Sequence, residues 1–274
     1  MPKSSIVLLF AILIVASLPT SGVASETEAF LQILEDDWQF SLQEDPLFAT
    51  RAGEHQYNDR LPRERVEDQL RRIEKREKFL KRYEAIDRDK IDALEQVNYD
   101  IYGWQLRDGL AESQFKMYLI PITNRWGFHI GFAELPKRVP LKNVRDYENY
   151  IARLKQFKQY TDDHIVLMRA GLKAGFTLPQ VVLEGYREPI EAHVVDDPKQ
   201  SKLYAPFEKF LQTIPDEEQN RLRQAGIAAM EESTQSVVQG TTLIHEAGEA
   251  LSEIESVSAQ LAKLVQSISA AAQR

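Results

Sequence analysis

The sequence contains no cysteine. That excludes disulfides, cysteine–zinc sites, iron–sulfur clusters and thiol nucleophiles. Only 5 histidines occur, too few for a histidine-rich metal centre. Positive charge is in the minority: Lys+Arg is 34 against 42 Asp+Glu, a net charge of -8. A chain this acidic lacks the clustered positive charge that draws proteins to nucleic acid. No GxSxG elbow, P-loop or dinucleotide-binding glycine motif occurs. After residue 18 there is no apolar run long enough to cross a membrane, a span that needs about 20 residues. What remains is globular in composition, 43% hydrophobic and 28% charged over 274 residues, a length that fits one large or two small domains.

The first 25 residues read as an export signal. Lys3 precedes an uncharged apolar run, Ile6 to Leu18, followed by Pro19, Gly22, Ala24 and Ser25. A positive start, a short apolar centre and small residues before a cleavage point are the parts of a secretory signal peptide. The expected mature form begins near Ser25 or Glu26, is periplasmic or secreted, and keeps no membrane span.

Beyond the signal, apolar residues recur at helical spacing. Phe30, Leu31, Leu34, Trp38 and Leu42 mark a helix over Glu28 to Leu42. Asp45-Pro46 opens a turn or a new helix, since proline is tolerated in a first turn. Glu64 to Tyr83 carries both signs of charge with one apolar stripe. Its Arg71, Arg72, Lys75, Arg76, Lys78, Lys81 and Arg82 alternate with acids, which describes a salt-laced surface rather than a basic patch. Asp87 to Leu110 continues the pattern through Tyr99, Tyr102 and Trp104, aromatics expected in the core. Met117 to Pro140 holds five glycines and prolines and is not one helix. Asp146 to Leu172 reads as one long amphipathic helix, and Val181 to His193 as another. Strand signals are confined to Tyr118 to Ile122 and Val194-Val195. The expected fold class is all-α: a multi-helix domain over 26–228, followed by a long C-terminal heptad helix over 229–274.

That last segment carries Val237, Gly240, Ile244, Ala247, Leu251, Ile254, Ser258, Leu261, Val265, Ile268 and Ala272 at alternating spacings of three and four. These are the a and d positions of a coiled coil. Such a stripe needs a partner, so self-association through it is expected. His245-Glu246-Ala247-Gly248-Glu249 resembles half of the helical zinc motif, which requires a second histidine where Glu249 stands. The neighbours Asp162-Asp163-His164, Glu54-His55 and Glu191/His193 pair carboxylate with imidazole and are read as surface or helix-end groups. No catalytic residue, no metal ligand and no cofactor site is assigned from the residues alone.

Two resemblances add to this reading. Asp45-Pro46-x-x-Ala49-Thr50-x-x-Gly53, His55-x-Tyr57-x-Asp59-Arg60-Leu61-Pro62, Trp126-Gly127-x-His129, Asp146-Tyr147-x-x-Tyr150-Ile151-x-Arg153-Leu154 and Tyr204-x-Pro206-Phe207 occur in this order. With them, residues 28–227 resemble the N-terminal half of the bacterial domain-of-unknown-function 885 family. The resemblance implies an exported, helix-rich protein whose further half is zincin-like and carries the family's zinc motif. No residue of this chain matches those metal ligands, so the chain is expected to be inactive on its own. The stretch 230–274, through Met230-Glu231-Glu232-Ser233-Thr234 and Glu246-Ala247-Gly248-x-Ala250-Leu251, is similar to the signalling coiled coil of methyl-accepting chemotaxis proteins. That similarity implies Glu231 and Glu232 as candidate methylation sites. It also implies an alternative function as a signalling or interaction protein, in a chain of composite origin.

Overall fold

A computed structural model describes residues 25–232 apart from 124, 177, 179–181, 183, 186–187 and 190–194. Residues 1–24 of the expected signal 1–25 and the expected heptads beyond Glu232 lie outside the described residues, as does most of Val181 to His193. The chain is all-α. Among the described residues the nearest approach to a sheet is one bridge, Ile122 to Gly127. The strand expected at Tyr118 to Ile122 is instead a single turn of 3-10 helix, Met117–Leu119, and an extended exit. Pro121, inside that stretch, has no N–H to give to a ladder.

The first layer is built from α1 (Glu26–Glu44), α2 (Pro46–Ala52), α3 (Val66–Glu84) and α4 (Gln96–Ser113). Ser25 and Glu28 form a capping box at the start of α1, with bonds of 3.2 and 2.8 Å, which satisfies two donors that a helix start leaves open. Asp45 ends α1 and caps α2 through the amide of Phe48 at 2.9 Å, and Pro46 takes the first-turn position where its missing N–H costs nothing. Phe30 and Ile33 from α1, Phe79 and Tyr83 from α3, and Tyr99, Tyr102 and Leu106 from α4 pack into one core. Tyr83 stacks on Tyr99 with ring centroids 4.1 Å apart. The outer face of α3 is the salt-laced surface its sequence announces: Arg71 pairs with Glu44 and Asp68, and Arg72 with Glu44 and Glu64.

The expectation that the α4 aromatics are core holds for Tyr99 and Tyr102 and not for Trp104, which is 64% exposed. Leu94, Val97 and Ile101 share its exposure. The apolar residues of this stretch encircle the helix, while α1 and α3 cover only one side.

The second layer holds α5 (Phe128–Ala133), α6 (Leu135–Arg138), α7 (Val144–Lys155), α8 (Phe157–Lys173), α9 (Ala205–Glu208) and a helix α10 over 216–232. Leu61, Phe132, Tyr147, Tyr150, Leu154, Phe207, Leu222, Ala229 and Met230 lie in its core. Residue 229, where the heptad segment is expected to begin, therefore falls inside a packed helix.

The long helix expected over Asp146 to Leu172 is two helices that meet at Gln156. There the backbone closes with 3-10 geometry, its N–H bonding Arg153 and Leu154. The Gln156 side chain explains the break: it donates to the Asp59 carbonyl at 2.6 Å and accepts from the Leu61 amide at 3.1 Å. A loop 95 residues earlier in the chain thus sets the end of α7. Nothing in the local periodicity carries that information.

Candidate functional site

A cavity of about 440 Å³ opens between the two layers. It is bounded by α2, the loop 117–127, α5, α6 and the facing sides of α7 and α8. Its walls are mainly apolar, with Leu47, Ile120, Phe128, Phe132, Leu135 and Leu167 contributing. The close approach of α8 to the loop depends on Gly171: a Cβ there would sit 2.7 Å from the Leu119 carbonyl oxygen. At the far wall Phe132 stacks on Phe157, centroids 3.8 Å apart.

The polar groups of the cavity come from Thr50, Arg51, Glu64, Arg138, Arg153, Tyr160 and His164 among others. Arg153 is fully buried. Its Nε donates to the Arg60 carbonyl at 2.9 Å, and its Nη2 reaches the Pro46 carbonyl at 3.0 Å and Thr50 Oγ1 at 2.6 Å. The Thr50 hydroxyl in turn donates to Asn58 Oδ1 at 2.7 Å. Nη1 has no hydrogen-bond partner, and no carboxylate among the described residues forms an ion pair with this guanidinium. Burial pulls its pKa down to about 10, with Asp59 and Asp45 opposing at longer range. A buried cation held by neutral acceptors alone is costly.

His164 is 6% exposed and stacks on Phe128 at 4.1 Å. Its Nδ1 lies 2.7 Å from the Tyr160 carbonyl oxygen. A carbonyl only accepts, so Nδ1 carries the proton and Nε2 keeps its lone pair. Burial holds the imidazole pKa down to about 4, so the ring is neutral at pH 7. Burial raises the Tyr160 phenol, which is likewise neutral.

Glu64 has its carboxylate committed. It accepts from Arg72 at 2.9 Å and from Gln69 at 2.6 Å. Burial pushes its pKa up against the pull of Arg72. A second cavity, about 460 Å³, shares Leu47, Arg51, Glu64 and Tyr160 with the first and continues toward Asp37 and Glu44.

Asp163 and His164 are not the surface pair expected from the sequence. The Asp163 side chain is fully buried and accepts from Arg63 Nε at 2.9 Å, Arg65 Nε at 2.8 Å and Gln159 at 2.7 Å. It clamps the loop before α3 onto α8. Asp162 points outward and pairs with Lys158 at 3.0 Å. Glu54 and His55 are exposed, as expected. Glu231 and Glu232 are exposed at the end of α10 and do not line the cavity. His245, Glu249, Glu191 and His193 lie outside the described residues. Among those described, no group of three or more His, Asp or Glu is placed to hold a metal ion, and no helix is long and apolar enough to cross a membrane.

The sequence did not single out Arg153 as a site residue, yet it carries a legible signal. Tyr150, Arg153 and Phe157 stand at i, i+3 and i+7, so an arginine occupies a position of the apolar stripe. A charge in that place is either a helix misread or a buried cation with a task.

Over residues 46–267 the chain matches the family described as "Bacterial protein of unknown function (DUF885)", and it belongs to that family. The matched stretch runs across residue 229 and takes in most of the heptad segment. No curated protein matches the chain.

Proposed function

We propose that this chain is an exported ligand-binding module, the part of a metallopeptidase-like protein that holds a small molecule or chain end without performing hydrolysis itself. The observation that supports the reading is the 440 Å³ cavity with apolar walls and a few convergent polar groups, the usual form of a small-molecule site. Its two titratable ring groups, Tyr160 and His164, are neutral at pH 7. Its carboxylate is consumed by Arg72. That arrangement suits holding a ligand better than transferring protons. Export through residues 1–25 and the kinship to zincin-like proteins belong to the same proposal and come from the sequence.

Gly131 gives the direct test. It lines the cavity, and apart from its chain neighbours and the backbone of its own helix no heavy atom lies within 4 Å of the place a Cβ would take. A neutral apolar fluorophore such as N-phenyl-1-naphthylamine should bind the full chain with one-to-one stoichiometry. Gly131→Trp, which fills the space without a clash at Cβ, should abolish that binding while the far-ultraviolet dichroism stays unchanged. Equal fluorescence in both proteins would overturn the reading.

A second reading, an interaction protein, is favoured by the exposed row Leu94, Val97, Ile101 and Trp104 on one side of α4 and the turn before it. Self-association through the chemoreceptor-like heptads and methylation at Glu231 or Glu232 belong to it. Sedimentation of the full chain beside Leu251→Lys/Leu261→Lys tests it, since charge in a helical seam should shift a dimer to monomer.

A further inference from the structure

We propose that the cavity takes a compact aromatic or aliphatic carboxylate, with the anionic group drawn to the Arg153 side of the site. This rests on the binding reading above and names its ligand class. Three guanidinium groups, Arg51, Arg138 and Arg153, border the cavity against a single carboxylate, Glu64. Glu64 is already neutralised by Arg72 at 2.9 Å. The lining of this cavity thus carries more positive than negative charge, in a chain whose net charge is -8.

The three cations differ in what already holds them. Arg51 is half exposed, lies over the ring of Phe48 and is 3.9 Å from Asp45. Arg138 is exposed on α6 and forms no ion pair among the described residues. Arg153 is buried with a free Nη1 and only neutral acceptors around its other nitrogens. In a poorly solvated space the field of an uncompensated guanidinium acts over longer distances than it would in water. An anion in the cavity would supply the countercharge Arg153 lacks, and guanidinium is the natural partner of a carboxylate. The walls decide the rest of the ligand. Phe128, Phe132 and Leu167 offer apolar surface, and His164 with a protonated Nδ1 offers an acceptor to one N–H or O–H.

N-acetylphenylalanine carries all three features: a ring, a carboxylate and an amide N–H. Its carboxamide is a neutral isostere. Calorimetric titration of the full chain at pH 7 should show the acid binding at least tenfold tighter than the amide, with the preference shrinking in high salt. Arg51→Gln/Arg138→Gln, at exposed positions that leave the core intact, should narrow the preference by a factor of three or more. Arg153→Met should abolish it if the variant folds. Equal affinity for acid and amide overturns the ligand class and leaves the binding reading standing. Binding of N-phenyl-1-naphthylamine without either phenylalanine derivative also overturns the class. No binding of any of the three compounds overturns both.

Discussion

Arg153 on α7 donates to Oγ1 of Thr50 on α2 at 2.6 Å, across 103 residues of sequence. The same guanidinium holds the Pro46 and Arg60 carbonyls. One side chain therefore joins the two layers of helices and forms part of the cavity wall between them. Structure and site share it, so its removal has a structural consequence before any functional one. Arg153→Ala should destabilise the fold by about 3 kcal/mol, the scale for stranding buried polar partners. Urea unfolding of the two proteins checks it. A loss under 1 kcal/mol would show that water replaces the guanidinium without difficulty.

His164 makes stability depend on pH. Its folded pKa is about 4, below the ordinary histidine value near 6.5. As pH falls below about 6.5 the unfolded chain takes up a proton that the folded chain refuses. Stability should drop from about pH 6.5 down to about pH 4, by on the order of 3 kcal/mol in total. His164→Phe keeps the stack on Phe128 and should flatten the profile in that window. A parallel slope in both proteins would assign the effect elsewhere.

Asp163 acts in a lower window. Burial pulls its pKa upward, but the hydrogen bonds from Arg63 and Arg65 outweigh it and hold the carboxyl below its ordinary value. Its contribution is present above about pH 3.8 and is lost as pH falls through the folded pKa. At pH 7, Asp163→Asn removes the charge both arginines need. The loop 62–65 should then become open to trypsin at Arg63 and Arg65, with stability lower by about 2–4 kcal/mol. Unchanged cleavage would contradict the clamp.

Ser25 bears on the start of the mature chain. Its side chain caps α1 at the Glu28 amide, a contact typically worth about 1 kcal/mol. Of the two cleavage points the sequence allows, the one after Ala24 keeps this cap. If the proposed export and cleavage take place, N-terminal sequencing of the protein from its native host should read Ser25 first. A start at Glu26, or Met1 retained, would contradict this.

Gly103 on α4 is set by an aromatic neighbour. A Cβ there would fall 2.1 Å from the Tyr83 hydroxyl oxygen. Gly103→Ala should displace the stack of Tyr83 on Tyr99 and lower the melting temperature. Melting temperatures of the two proteins decide it, an unchanged value meaning that Tyr83 rotates away freely.

The sequence carries the fold's class and most helix positions because apolar periodicity is a local property. Phe30, Phe79, Tyr99 and Leu154 are core residues that their spacing marks. The break at Gln156 was not legible, because its cause is the backbone at Asp59 and Leu61, far away in sequence. Trp104 was misplaced for a related reason: the pattern says that a residue is apolar, not which side of the helix finds a partner. The site was least legible. A neutral His164 and an unpaired Arg153 follow from burial, and burial is a property of the assembled layers. Arg153 itself was visible, both as an arginine within the apolar stripe of α7 and within the motif Tyr150-Ile151-x-Arg153-Leu154.

The most direct test of the ligand site is a ¹H–¹⁵N spectrum of the full chain titrated with N-acetylphenylalanine. The account predicts saturable shifts at the amides of Thr50, Gly127, Gly131 and Leu167, all absent in Gly131→Trp. Shifts confined to Val97, Ile101 and Trp104 on α4, or no shifts at all, would contradict it.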